Sequence, residues 1–149
     1  MADSWVQNVL DLWNRLTATR AGYLDFSLQI AKTTVDLDQG VGAHTLFTGT
    51  AQVVDLEKLV IQMPVGVPGG ALTGIYIQTD DATPLPIILA AQGLLANLTS
   101  ENQLTWEGIY RIGVGKHIQL WIAGGATGAG YVCSVDAQYR SVVGGGYLA

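Results

Sequence analysis

Residues 131–143 read YVCSVDAQYRSVV and alternate between apolar and polar side chains along almost their whole length. Successive side chains of a β-strand point to opposite faces, so this alternation predicts a strand with one buried face and one face that is wet or in an interface. The predicted inner set is Tyr131, Cys133, Val135, Ala137 and Tyr139, and the outer set is Ser134, Asp136, Gln138 and Arg140.

Further short strands separated by turn residues are predicted upstream, at 44–50, 56–63, 72–79, 87–89, 104–115 and 117–123. Residues 26–38 are a first strand or a crossing linker, and 90–100 are a strand pair or a short helical turn. The strands at 104–115 and 117–123 are predicted to pair around the turn Gly113–Lys116. About seven or eight short strands at regular spacing indicate a β-sandwich, jelly roll or small barrel.

Residues 3–24 space their apolar side chains by three and four, which predicts an amphipathic helix capped by Asp3 or Ser4. A lone helix of this length is marginal in water, so its apolar stripe must dock. The docking surface is the chain's own body, equivalent helices of neighbouring copies, or a groove on a larger partner. The candidate protein-interface residues are Trp5, Val6, Val9, Trp13, Leu16 and Tyr23.

The predicted fold class is therefore mainly β: a single antiparallel β-sandwich or jelly-roll-like domain preceded by a short N-terminal α-helical arm. The predicted division is a helical arm over 1–25, a β-sandwich body over 26–143 and a flexible tail over 144–149, after three glycines.

Apolar residues make up 49% of the chain and charged residues only 13%, with a net charge of −5. So few charges favour a surface covered by copies of the same chain or by a larger assembly. The scattered basic residues argue against nucleic-acid and anionic-membrane partners, and the longest apolar stretch, 85–98, is too short to span a bilayer. These basic residues are Arg15, Arg20, Lys32, Lys58, Arg111, Lys116 and Arg140.

No catalytic constellation is found, so the chain is not predicted to be an enzyme, and neither a cofactor nor a metal is predicted. Cys133, the single cysteine, is interpreted as a small buried hydrophobe. His44 and His117 lack ligand spacing and are interpreted as solvated or hydrogen-bonded side chains. The glycine-rich loop 124–130 precedes a strand instead of a helix, which favours a hairpin loop over a phosphate site.

Three aromatic side chains, Trp106, Tyr110 and Trp121, raise a further alternative. Together on the surface they would form a platform suited to a sugar. Packing in the core or in a subunit interface is the preferred interpretation.

Residues 16–25, LTATRAGYLD, resemble a segment that recurs in structural proteins of tailed bacteriophages. Residues 118–123 through the pair Tyr139-Arg140 also resemble the end of small all-β phage virion proteins. The resemblance implies a virion structural protein, assembled in the bacterial host cytoplasm. Two roles fit it. One is a capsid decoration or cement protein, often a homotrimer, bound to the major capsid protein or other virion proteins of the head lattice. The other is a tail, neck or fibre component with a carbohydrate- or receptor-binding β domain.

Overall fold

The computed structural model describes Val6 and residues 8–10, 27–142 and 144–149. Between Gln29 and Leu148 the regular secondary structure of the described residues consists of short strands and one 3-10 helix. The strands are β1 (Gln29–Asp36), β2 (Gly42–Thr50), β3 (Val54–Gln62), β4 (Gly74–Thr79), β5 (Pro86–Ile88), β6 (Gln103–Ile112), β7 (His117–Ala123), β8 (Val132–Ser141) and β9 (Tyr147–Leu148), with a 3-10 helix at Leu95–Asn97.

The strands form two antiparallel sheets. Sheet A has the order β1-β8-β3-β6, and sheet B has the order β5-β4-β7-β2-β9. The first strand pairs with the eighth, the second with the seventh, the third with the sixth and the fourth with the fifth. A long hairpin acquires this pairing when it is rolled up, so the topology is that of an eight-stranded jelly roll. The predicted antiparallel β-sandwich is confirmed.

The core lies between the sheets and is supplied by every second residue of each strand. Along β3, Leu59 and Ile61 are fully buried while Lys58, Val60 and Gln62 are partly exposed. The inner set predicted for β8 is confirmed in the same way: Tyr131, Cys133, Val135, Ala137 and Tyr139 are all buried. Sheet B faces them with Ile75, Ile77, Ile118, Leu120 and Ile122.

The predicted pairing of β6 with β7 is wrong. β6 pairs with β3 in sheet A, whereas β7 pairs with β2 and β4 in sheet B. The turn between them crosses the sandwich and is held by β2, where Gly49 donates to the Lys116 carbonyl and accepts from Gly115, both at 2.8 Å. Both strands have an apolar inner face, and in separate sheets these faces cover each other across the core. Loop 124–130 likewise joins two sheets and is not a hairpin loop.

The end of the chain also differs from the prediction of a flexible tail at 144–149. Tyr147 and Leu148 add β9 to the edge of β2, and Thr48 and Ala149 exchange two backbone hydrogen bonds of 2.8 and 3.0 Å. Leu148 is buried at 6% exposure. The segment docks for two reasons. The Leu148 side chain is buried, and the edge strand β2 offers backbone groups that need hydrogen-bond partners.

The predicted helical arm lies mostly outside the described residues. Val6 and residues 8–10 are helical. Residues 90–100, left open by the sequence, form turns and the 3-10 helix instead of a strand pair.

Candidate protein-interaction surfaces

The outward face of sheet A carries paired charges. Each basic side chain on it meets an acidic side chain on a neighbouring strand: Lys32 with Asp136 at 3.3 Å, Lys58 with Glu107 at 2.7 Å, Arg111 with Asp55 at 3.1 Å and Arg140 with Glu57 at 2.8 Å. The hydrogen bond from Lys58 lowers the pKa of Glu107, and the bond to Asp55 raises the pKa of Arg111. Exposed pairs add little stability, but they balance the charges on this sheet, whose strands also expose Ile30, Ile109 and Val132.

The strands of sheet B carry no Asp, Glu, Lys or Arg at all. Their outward positions hold small, amide and aromatic side chains, including Thr45, Tyr76, Gln78, Gln119 and Trp121. An uncharged outer face on one sheet, opposite a charged outer face on the other, marks sheet B as the surface suited to a protein neighbour.

An aromatic pair lies on this uncharged face. Tyr76 of β4 and Trp121 of β7 are direct cross-strand neighbours, and their rings stack with centroids 5.7 Å apart and planes 7° apart. The indole Nε1–H of Trp121 is buried without a hydrogen-bond partner among the described residues. Buried donors are rarely left unpaired, so this group has unused capacity to bind an acceptor.

Two cavities flank Tyr76. The larger, about 340 Å³, is lined by Tyr76, Ile77, Gln78, Pro86, Ile88, Leu89 and Ala90. The smaller, about 120 Å³, is lined by Thr73, Gly74, Ile75, Tyr76, Ala90, Leu94 and Ala123. Tyr76 and Ala90 line both. We call Tyr76, Pro86, Leu89, Ala90, Leu94 and Trp121 the aromatic patch. Its leucines Leu89 and Leu94 are 52% and 54% exposed.

A second apolar surface lies at one end of the sandwich, on the loops before β2 and β4. Val41, Val65 and Val67 are 66%, 79% and 70% exposed there. The loop before β8 joins the two loops, since Thr127 donates to the Leu37 carbonyl and Ala71 donates to Ala126. The Tyr131 hydroxyl donates to the carbonyl of Leu98, which holds the loop before β6 at the same end. We call these three valines the valine tip.

The candidate arm residues are placed only in part. Val6 and Val9 are helical and about half exposed, as is their neighbour Leu10. Trp5, Trp13, Leu16 and Tyr23 lie outside the described residues, so their interface role stays a prediction.

The alternative of an aromatic platform made by Trp106, Tyr110 and Trp121 is wrong, and the preferred interpretation of core packing is confirmed for Trp106 and Tyr110. Trp106 and Tyr110 contact each other, with centroids 4.7 Å apart, but they lie on the inner side of β6 and pack against the core. Trp121 lies on the outside of the opposite sheet and stacks on Tyr76. Sequence reasoning missed Tyr76 because β4 and β7 are distant in sequence and only their register brings the rings together.

The polar candidates have structural roles. Burial raises the pKa of the Cys133 thiol to about 12, in agreement with its interpretation as a buried hydrophobe. His117 shares a 2.9 Å hydrogen bond with the Thr48 hydroxyl, and His44 Nε2 lies 2.9 Å from the Gly40 carbonyl, so both histidines are hydrogen-bonded as predicted. In the described part of the chain, no three His, Cys, Asp or Glu side chains are grouped to hold a metal ion.

Asp36 joins two loops. One carboxylate oxygen, Oδ1, accepts from the backbone N–H groups of Asp38 and Tyr131, both at 2.9 Å. These two bonds lower the pKa of Asp36.

Among the described residues, no helix has the length and apolar character needed to cross a membrane.

No protein-family model matches the chain, and no curated protein matches it. Solved structures do share its fold. A chain of the acidic stable capsid of Helicobacter pylori bacteriophage KHP30 aligns with a TM-score of 0.52 at 13% identity, over 83% of this chain and 94% of that one. A chain of the capsid asymmetric unit of cyanophage Pam1 aligns with a TM-score of 0.53 at 14% identity, over 78% of this chain and 86% of that one. At these identities the likeness establishes a common β-sandwich fold.

Proposed function

We propose that the chain is a virion structural protein of a phage: a capsid decoration, or cement, protein that binds the head lattice as a homotrimer. The observation that carries the proposal is the division of charge between the two sheets. The strands of sheet A carry the ion pairs together with exposed Ile30, Ile109 and Val132, while the strands of sheet B carry no charged side chain and the valine tip exposes three valines. A domain with this surface functions by binding other proteins.

The fold shared with chains of two phage capsids supports the same role. The partners are further copies of the chain and the major capsid protein or other virion proteins, and the location is the virion. The proposal assigns neither catalysis nor a cofactor to the chain. Binding to assembled shells would stabilise them by mass action, and many copies would multiply a modest contact.

The valine tip is the proposed lattice contact, because its three apolar side chains are each at least 66% exposed and lie together at one end of the sandwich. The test uses heads purified from a phage deleted for this gene, mixed with the full-length protein and sedimented. We expect saturable binding and a higher temperature of head disruption. The double variant Val65→Asp and Val67→Asp should bind at least about tenfold more weakly, since two charges would be placed in an apolar contact.

A matched control is Thr34→Asp, an exposed position on the outward face of sheet A. It adds charge to a face that already carries charges, and binding to heads should be unchanged. Full-length protein that stays in the supernatant at every concentration would contradict the cement role.

A carbohydrate- or receptor-binding role in a tail or fibre is the second candidate. The aromatic patch favours it, because the ring of Tyr76, stacked on Trp121, lines a cavity of about 340 Å³. A glycan array probed with the full-length protein tests this role. Binding that is lost in Trp121→Ala would support it, and an array without signal would remove it.

A further inference from the structure

We propose that the aromatic patch of one copy receives the N-terminal arm of a second copy, through the apolar residues around Val6 and Val9. This inference concerns contacts between copies of the chain. Its tests do not depend on whether the chain binds the head lattice.

The patch has the shape that such a segment requires. Its two cavities share Tyr76 and Ala90 as lining residues, so they adjoin and can accept two neighbouring apolar side chains of one segment. The strands beneath the patch carry no charge. An amphipathic helix binds a groove in this manner, by inserting side chains spaced three or four residues apart.

The arm has the matching chemistry. Val6, Val9 and Leu10 lie at helical spacing, and the sequence continues the stripe to Trp13. Asn8 lies within this stretch and has a side-chain oxygen that can accept a hydrogen bond. The unpaired indole N–H of Trp121 on the patch is a donor that lacks an acceptor.

Exposure of the arm favours a second copy over the chain's own body. Val6, Val9 and Leu10 are 49%, 47% and 50% exposed in the single chain, so their apolar groups are not covered by the sandwich to which they are joined. Patch residues Leu89 and Leu94 are exposed to a similar extent. Both surfaces would be covered if arms were exchanged between copies.

The length of the arm permits the exchange. Residues 10–26 separate Val9 from the start of the described body at Ser27. They would span roughly 25 Å as a helix and at most roughly 60 Å when fully extended. A ten-residue strand is about 33 Å long, so the arm can reach the face of a neighbouring sandwich.

Cysteine trapping with full-length chains tests the proposal. Val9→Cys and Ala90→Cys chains, carrying different affinity tags, are mixed and oxidised with a copper–phenanthroline catalyst, and the mixed disulfide is quantified by mass spectrometry. Cys133 does not compete, because it is buried and its pKa is raised to about 12. The control replaces Ala90→Cys with Thr34→Cys, an exposed position on sheet A. We expect about tenfold more mixed disulfide with Ala90→Cys than with Thr34→Cys, since docking raises the local thiol concentration.

The double variant Val9→Cys and Ala90→Cys, oxidised at high dilution, distinguishes the copies. A disulfide within one chain would overturn the proposal, because it would place the arm on its own body. Equal yields for Ala90→Cys and Thr34→Cys would overturn it as well.

Sedimentation equilibrium supplies a second readout. Leu94→Asp adds a charge at an exposed position of the patch and should weaken self-association about thirtyfold, the usual effect of losing an interface hot spot. Val65→Asp at the valine tip should self-associate like the unmodified chain. Heads that do not bind the protein, together with the expected disulfide yields and self-association, would contradict the cement role and still support the exchange of arms between copies. Unchanged association of Leu94→Asp would contradict the exchange.

Discussion

Tyr76 and Trp121 stack on the outside of sheet B, with ring centroids 5.7 Å apart and planes 7° apart, although the two residues are 45 positions apart in the sequence. Their strands pair because the jelly roll places β4 beside β7. The pairing of β4 with β7 therefore creates part of the proposed interface. It brings together the only stacked aromatic pair described on the uncharged face of sheet B.

The two rings should be energetically coupled. In a double-mutant cycle of Tyr76→Ala and Trp121→Ala, we expect a coupling of about 0.5–1.5 kcal/mol, the range for stacked aromatic pairs. Urea denaturation monitored by circular dichroism measures it. Tyr76→Phe keeps the ring and should keep most of the coupling. Additive single effects would show that the rings contribute independently.

Gly93 should tolerate no side chain. A Cβ at this position would lie 1.8 Å from the carbonyl oxygen of Ile75, to which the Gly93 backbone is closely apposed. We expect Gly93→Ala to lower the free energy of unfolding by about 1–3 kcal/mol, the usual cost of overpacking. Gly40→Ala is the control, because a Cβ there meets nothing within 4 Å. Equal stability of the two variants in thermal unfolding would contradict the predicted clash.

The Asp36 carboxyl should make the free energy of unfolding depend on pH at acidic pH. The N–H groups of Asp38 and Tyr131 lower its pKa in the folded chain below the ordinary value of 3.8. Because the folded pKa is the lower one, the stabilisation is complete above pH 3.8 and is lost as the pH falls through the folded pKa.

The test is the urea midpoint between pH 7 and pH 2. Asp36→Asn removes the titrating group, so its stability should fall less steeply below pH 4 than that of the unmodified chain. Parallel pH profiles for the unmodified and Asp36→Asn chains would contradict the assignment.

Leu148 should stabilise the sandwich although it stands next to the last residue of the chain. Its side chain is buried, whereas its neighbour Tyr147 is 45% exposed. We expect Leu148→Ala to lower the free energy of unfolding by about 2 kcal/mol, as for other buried leucines, and Tyr147→Ala to lower it much less. Thermal unfolding compares the two. Similar losses would indicate that β9 contributes no buried contact.

Much of the fold could be predicted from period-two alternation. The pattern in 131–143 gives the correct buried set of β8, and the pattern around Leu59 and Ile61 does the same for β3. Local alternation identifies which face of a strand is buried, because burial selects apolar side chains at every second position.

Strand pairing could not be predicted in the same way. The turn at Gly113–Lys116 has the residues of a hairpin, but its strands belong to different sheets, because β6 finds its neighbour in β3 and β7 finds its neighbours in β2 and β4, all distant in sequence. The tail was misjudged for a related reason. Three glycines indicate flexibility, yet one buried leucine and the open edge of β2 are enough to dock the residues that follow.

The candidate site depends on the same non-local information. The low charge content of the chain indicated a surface for protein partners, but composition does not show that the charged side chains on strands all lie in sheet A. The aromatic side chains were visible in the sequence, whereas the partner of Trp121 followed only from the register between β4 and β7.

The central claim is that this chain is a decorating component of a phage head. Electron cryomicroscopy of heads from the intact phage and from a deletion of this gene tests it most directly. We predict difference density on the head surface, arranged in threes, into which the two-sheet sandwich fits with the valine tip directed at the lattice. Heads that are identical in the two reconstructions would contradict the claim.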